Sequence, residues 1–409
     1  MPTYLILILL IVIADFLWTQ YLSYRNRIRM SPDIPAPLAG IYNKQQYAKQ
    51  QEYQKTNSRF GIYTALFSFV VLLIVLLFGI FGMLDEYLRQ YIDNEILLTL
   101  AFFGIIYVIN DIITLPFDYY QTFTIEERFG FNKSTKSTFW LDKLKGLLIT
   151  AILGGVILAL IVWLYSQLGT YAWLYAWGVV TLFSLFMTLF YSNIIVPLFN
   201  KQTPLEQGEL RTAIETFAQK AGFGINNIYV MDASKRTTKA NAYFTGFGAK
   251  KRIVLFDTLI KDLDTDEIVA VLAHEIGHYK KKHTLQGMLM SVIYTGVVLF
   301  LLSLFLHNQD IAIALGGQTA SFHLGLIAFS ILFTPLSMIM GIFSSLLSRH
   351  NEYQADAYAD SFGLSEPLMD GLKKLSVKSL SNLNPDPWYV FFYYSHPTLL
   401  QRMEALDKN

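Results

Sequence analysis

The chain has 409 residues, of which 53% are hydrophobic and 15% charged, with a net charge of +1. Soluble chains run at about a quarter charged, so this composition excludes an ordinary set of soluble domains, and the lack of a basic surplus excludes nucleic acid as a partner. Cysteine is absent. That excludes disulfides, a thiol nucleophile and thiolate-bound metal, leaving His and carboxylates for any metal chemistry.

The first apolar run, Tyr4 to Leu22, lacks a basic leading region and a small-residue cleavage site, and is expected to be a retained anchor. Asp15 inside it is costly in lipid, so it is expected to point into a helix bundle. Further runs long enough to cross a bilayer lie at Phe60 to Met83, Ile96 to Pro116, Gly146 to Ser166, Tyr171 to Phe199, Leu285 to Leu306 and Phe322 to Ser348, seven spans with the first. Arg25, Arg27, Arg29, Lys44, Lys49, Lys55 and Arg59 follow the first span, and Arg128, Lys133, Lys136, Lys143 and Lys145 follow the third. Loops after even-numbered spans are nearly free of Lys and Arg. The positive-inside rule then puts the N-terminus outside or in the lumen, and both larger polar segments and the C-terminus in the cytoplasm. The membrane would be that of the endoplasmic reticulum in a eukaryote or the inner membrane in a bacterium.

The fold class expected is a mainly α-helical multi-pass membrane protein carrying a small cytoplasmic α+β unit. Residues 1–199 form the first membrane region, 200–284 the polar unit, 285–348 two more spans and 349–409 a closing segment. Within the polar unit, Leu210 to Ala221 has helical spacing, while Ile228 to Met231, Ala242 to Thr245 and Arg252 to Phe256 are strand-like. A helix is expected from Asp264 or Thr265 through His278, with Asp266 and Glu267 in its first turn. Asn384-Pro385-Asp386-Pro387 reads as a loop.

That helix carries His274-Glu275-Ile276-Gly277-His278. Two imidazoles at i and i+4 share a helical face and reach one metal, and Glu275 sits beside them as a base. The division has a physical reason: zinc acidifies water toward neutrality, and a carboxylate then takes the proton as hydroxide attacks a carbonyl. A catalytic site needs a third protein ligand. His283 lies five residues after His278, well round a continuing helix, and is rejected. Glu352, opening the helical stretch Asn351 to Ala357 after the last span, is the better candidate, with Asp356 or His350 as fallbacks. Asp356, one turn on, is suited to accept a ring N–H from a ligand histidine.

These residues resemble the type I CAAX prenyl protease family of membrane zinc metallopeptidases. Leu115-Pro116-Phe117 and the run Thr124 to Thr135 look like that family's N-terminal signature, which shorter membrane peptidases sharing the zinc motif lack. Pro197 to Lys201, Ser234-Lys235-Arg236, Ala240 to Gly246, Lys251 to Leu259 and Ser395-His396-Pro397 with Arg402 match as well. The resemblance implies one Zn2+ per chain on His274, His278 and Glu352, with Glu275 as base and His396 and Arg402 supporting the site, His396 at the developing oxyanion. It implies that Asn241, Ala242, Tyr243 and Phe244 form an edge strand pairing with substrate backbone. It also implies seven spans around a water-filled chamber, and a monomer acting in the bilayer on a peptide or protein, in family members by removing the three residues after a prenylated cysteine. Thr237-Thr238-Lys239 departs from the Ser and His that relatives often carry, which leaves local substrate preference open. Two alternatives stand beside this reading: a quality-control protease of membrane proteins, and a non-catalytic transporter or scaffold that retains zinc.

Overall fold

The apolar runs become long helices in the computed structural model, which describes every residue except 1, 32, 35, 37–38, 225–226, 247–250, 307 and 408–409. The first part comprises α1 (Thr3–Ile28), α2 (Lys44–Leu77), a short α3 (Ile80–Arg89), α4 (Glu95–Tyr120), α5 (Lys136–Ile149), α6 (Gly155–Leu168) and α7 (Ala172–Ile194). After them come α8 (Glu209–Lys220), α9 (Thr265–Lys280), α10 (His283–Phe305), α11 (Phe322–Leu332), α12 (Thr334–Asp360), α13 (Ser365–Lys378), α14 (Pro387–Tyr393) and α15 (Leu399–Leu406). The most apolar stretches of the long helices have mean hydropathies of 2.2 to 2.8, yet only 6 to 22% of their residues are buried by protein. Such helices keep their side chains from water in a bilayer, where every backbone group is bonded within its own helix.

Among the described residues, length and apolarity qualify five helices as spans, or six when α11 and α12, bent by 57° where they meet, count as one. Seven were expected, and the difference lies at Lys136–Phe199. There the expected fourth and fifth spans belong to one 64-residue helical stretch. Gly169 interrupts it with φ +53°, and α6 and α7 pack on each other around Leu164, Tyr165, Ala172 and Ala176. The bend before α12 coincides with Pro335 in its first turn, where a missing N–H is tolerated. α2 also begins well ahead of the expected Phe60, because Asn43 accepts a hydrogen bond from Gln46 N at 2.8 Å and closes a capping box there. Asp15 lines a cavity of about 460 Å³ with Trp18, Thr334, Pro335 and Met338, and so faces the start of α12.

The polar segment after α7 builds a four-stranded sheet in the order β1-β2-β4-β3, with β1 (Gln202–Pro204), β2 (Ile228–Met231), β3 (Ala242–Thr245) and β4 (Arg252–Phe256). β1 was not expected, since three residues ending in proline carry no alternation; proline is tolerated there because β1 is an edge. β2 and β4 run parallel, whereas β3 is antiparallel to β4 with Ala242 opposite Leu255 and Phe244 opposite Ile253. β3 therefore has one open edge among the described residues. Its alternation separates two faces. Ala242 and Phe244 pack toward α8 and α9 with Phe223, Ile276 and Tyr279, while Tyr243 packs with Val196, Met231, Val254 and Phe256 on the other side.

Candidate metal centre

α9 starts at Asp264, whose side chain and that of Glu267 close a capping box, and its buried Ile268, Leu272 and Ile276 fix it against the sheet. This orientation presents His274 and His278 to α12, where Gly277 lets the two helices approach: a Cβ at Gly277 would lie 3.1 Å from Ala355 Cα. Three donors then converge. His274 Nε2 and His278 Nε2 are 3.2 Å apart, His274 Nε2 is 3.4 Å from Glu352 Oε2, and His278 Nε2 is 3.3 Å from Glu352 Oε1. Tetrahedral ligands about 2.0–2.2 Å from a zinc-sized ion are roughly 3.3–3.6 Å apart, close to the separation of the two Nε2 atoms and of each from its nearer Glu352 oxygen. Glu352 Oε2 is buried without a hydrogen-bond partner, as an oxygen reserved for a cation would be. His274, His278 and Glu352 thus form a group able to hold a metal ion.

The ring nitrogens turned away from that face are also engaged. Asp356 Oδ1 lies 2.8 Å from His274 Nδ1, and Arg402, buried on α15, grips Asp356 in bidentate fashion at 2.9 Å (Nε to Oδ2) and 2.5 Å (Nη2 to Oδ1). Arg402 Nη1 is also 3.8 Å from Glu352 Oε2. Burial opposes a charge on His274, but the carboxylates of Asp356 and Glu352 beside it outweigh it and raise its pKa to about 9. His396 Nε2 lies 3.3 Å from Glu352 Oε1 with its side chain 63% exposed, so it reaches the site from the solvent side.

Two residues have contacts that the sequence reading did not assign, although its rejection of His283 as a donor agrees with the group found. His283 is not among the three donors, but its Nδ1 lies 3.0 Å from His278 Nδ1 and its Nε2 lies 2.9 Å from Gln354 Oε1. Gln354 Oε1 can only accept, so His283 Nε2 donates and His283 Nδ1 accepts from His278 Nδ1–H. That tautomer leaves His278 Nε2 free to bind a metal. The helix argument went astray because α9 stops at Lys280 and Lys282 takes φ +62°, folding His283 back. Arg349 is the second: it donates to the carbonyls of Val390 (3.2 Å) and Tyr394, fixing the end of α14 just before His396.

Glu275 and His278 line a cavity of about 710 Å³ that also borders Phe244 of β3. Phe256 N–H donates to Asn241 O at 3.0 Å, so by antiparallel alternation the backbone groups of Ala242 and Phe244 turn to the open edge. The exposed Asn241 side chain presently accepts from Ala242 N at 2.9 Å. The segment leading into β3 is clamped by the run that begins at Thr124. Glu126 accepts from Tyr53 Oη at 2.6 Å and pairs with Lys239 Nζ at 2.9 Å, and Arg236 is bidentate to Asp142. Lys239, one of the three departures noted in the sequence, is thus an anchor of this clamp.

The family model described as CAAX prenyl protease N-terminal, five membrane helices, matches residues 23–201, and that of peptidase family M48 matches residues 204–409. CAAX prenyl protease 1 of Saccharomyces cerevisiae is 35% identical, covering 97% of this chain and 93% of its own length. The CAAX prenyl protease 1 homolog of Arabidopsis thaliana is 36% identical, covering 97% and 96%. The crystal structure of S. mikatae Ste24p superposes with a TM-score of 0.94 at 34% identity, covering all of this chain and 99% of that one. With both halves matched and a trio able to hold a metal ion at the junction of α9 and α12, the chain belongs to the M48 peptidases, among the CAAX prenyl protease 1 proteins.

Proposed function

We propose that this protein is a zinc endopeptidase of the bilayer that removes the last three residues from substrates ending in a prenylated cysteine motif. The observation that carries the reading is the convergence of His274, His278 and Glu352 beside Glu275, in a cavity bordered by β3. His and carboxylate donors without thiolate suit zinc in a hydrolytic site. When bound, the ion supplies Lewis acidity that acidifies water and polarises the scissile carbonyl.

The remaining work falls to the chain's own groups. Substrate backbone pairs with the outward-turned groups of Ala242 and Phe244, displacing the Asn241 side chain from Ala242 N, which holds the scissile carbonyl beside Glu275. Glu275 takes a proton from the attacking water as the C–O bond forms, then returns it to the amine as the C–N bond breaks. His396, on the solvent side of Glu352, donates to the developing oxyanion. Asp356 and Arg402 hold His274 in its ring orientation.

The decisive assay presents purified protein, with and without chelator, with a farnesylated CAAX peptide and an unmodified control. Chelator-sensitive release of the terminal tripeptide, faster from the farnesylated peptide, is expected. Equal rates on both peptides would remove the prenyl substrate from the reading, and cleavage indifferent to chelator would remove the metal.

Asn241→Ala is expected to lower kcat/KM about tenfold, the worth of one backbone-directed hydrogen bond, with metal content unchanged. Kinetics equal to wild type would return Asn241 to a purely structural role. We also propose seven crossings, with α6 and α7 as separate spans joined at Gly169, and a cytoplasmic metal site. A topology reporter fused after Arg29 should then report the cytoplasm and one near Asn308 the opposite side. Both reporters on one side would overturn this arrangement.

A further inference from the structure

β3 meets the metal helix through a group of three rings. Strand alternation turns Ala242 and Phe244 toward α9, and Phe244 is the longer of the two, so its ring bridges the gap. Phe244 meets Tyr279 edge to face, with centroids 5.4 Å apart and planes at 65°, and meets Phe223 in the same manner at 5.4 Å and 62°. Phe223 and Tyr279 complete the triangle at 5.0 Å and 71°. We propose that Phe223 and Tyr279 are positioning residues for hydrolysis, which hold the substrate-pairing strand at a fixed distance from Glu275 and the metal group. The proposal rests on the strand-pairing reading above.

Tyr279 stands where such a spacer has to stand. It directly follows His278 and lies four residues after Glu275, one helical turn on, so its ring shares a face with the base. Across the triangle, Phe244 lines the cavity that holds Glu275 and His278. Edge-to-face pairs restrict orientation as well as distance, and in a closed triangle no ring can turn without disturbing two contacts. The Lys251 ammonium lies over two of the rings, 4.4 Å from the centroid of Phe223 and 4.3 Å from that of Tyr279, and Lys251 immediately precedes β4. Phe223 is itself buried, and Lys280 Nζ donates to the carbonyl of its neighbour Gly222 at 2.9 Å, which ties the loop after α8 to the last residue of α9.

The two parts that the triangle joins are each held together by other contacts. β3 is paired with β4 from Ala242 to Thr245, so the strand and its open edge persist without the rings. The metal group is braced from the opposite side, His274 by Asp356 and His278 by His283. Loss of one ring therefore lets β3 and α9 shift against each other with both intact. Substrate still pairs with the edge, but its scissile carbonyl no longer sits at Glu275. A displacement of about 1 Å can cost on the order of 10²-fold in rate.

Tyr279→Leu in the full-length, zinc-loaded protein is expected to lower kcat at least about tenfold, with KM and metal content within about twofold of wild type. Tyr279→Phe keeps the ring and is expected to keep kcat. Phe223→Leu loosens the same triangle from outside α9 and is expected to act in the same direction, so the question is decided even if one variant fails to fold. Rates are read on the farnesylated peptide and its unmodified control side by side, so the outcome does not hang on prenylation. A raised KM with kcat unchanged, metal lost in step with activity, or wild-type kinetics in both Leu variants would overturn the proposal. Asn241→Ala without effect would instead strike the strand-pairing reading, and this proposal would fall with it.

Discussion

Glu275→Ala should keep metal content at the wild-type level and lose at least about 10²-fold in peptide hydrolysis, the usual cost of removing a general base. The substitution leaves all three donors of the metal group in place, because Glu275 is not one of them. It takes away the acceptor that the cavity sets beside His278. Metal analysis and initial rates on the same preparation read both halves of the expectation. Near-normal cleavage in this variant would mean that the chemistry assigned to the site is wrong, whatever metal it holds.

Glu352→Ala should lower metal affinity by more than the ~10–100-fold typical of losing an outer partner of a ligand, with activity falling at least as far. Asp356→Asn provides that milder comparison, since Asp356 touches His274 through the ring nitrogen opposite the metal face. The loss in Glu352→Ala has two sources. One anionic donor disappears, and Arg402, 3.8 Å from Glu352 Oε2, then faces the site with one fewer carboxylate to balance it. Excess zinc should therefore restore occupancy more readily than turnover. Full zinc occupancy at stoichiometric metal in Glu352→Ala would remove it as the third donor and direct attention to Asp356 or to His350, which sits two residues earlier on α12 and accepts from Gln354 at 2.9 Å.

What could be read in advance followed from local rules. The i, i+4 histidines, the Asp264 cap and the three strands of alternating or apolar character all depend on near neighbours in sequence, and each lies where those rules put it. Glu352, His396 and Arg402 were different, because no spacing rule links them to His274; Glu352 was picked out by the helical stretch that follows the last span, and family resemblance carried His396 and Arg402. His283 was misjudged in geometry for an instructive reason: the helix was assumed to continue, and a single left-handed Lys282 ended it. Arg349 gave no signal, since a base after a span ordinarily reads as a topology determinant, and here its donors are turned to the carbonyls of α14. The loop reading of Asn384 to Pro387 needs a smaller correction. The helix begins at Pro387 itself, where proline sacrifices no bond, with Asp386 accepting from Trp388 N and Tyr389 N.

Arg402 closes the site from a helix 128 residues beyond His274 and 46 beyond Asp356. During synthesis the paired histidines therefore emerge, and α12 is inserted, before the guanidinium that neutralises Glu352 and Asp356 has been translated. Until then two carboxylates and two imidazoles stand together without their cationic counterweight. A chain stopped short of Arg402 would hold β3, Glu275 and the two histidines and yet lack the guanidinium that grips Asp356. Full bracing of the metal group by Arg402 is thereby one of the last steps in the completion of the chain.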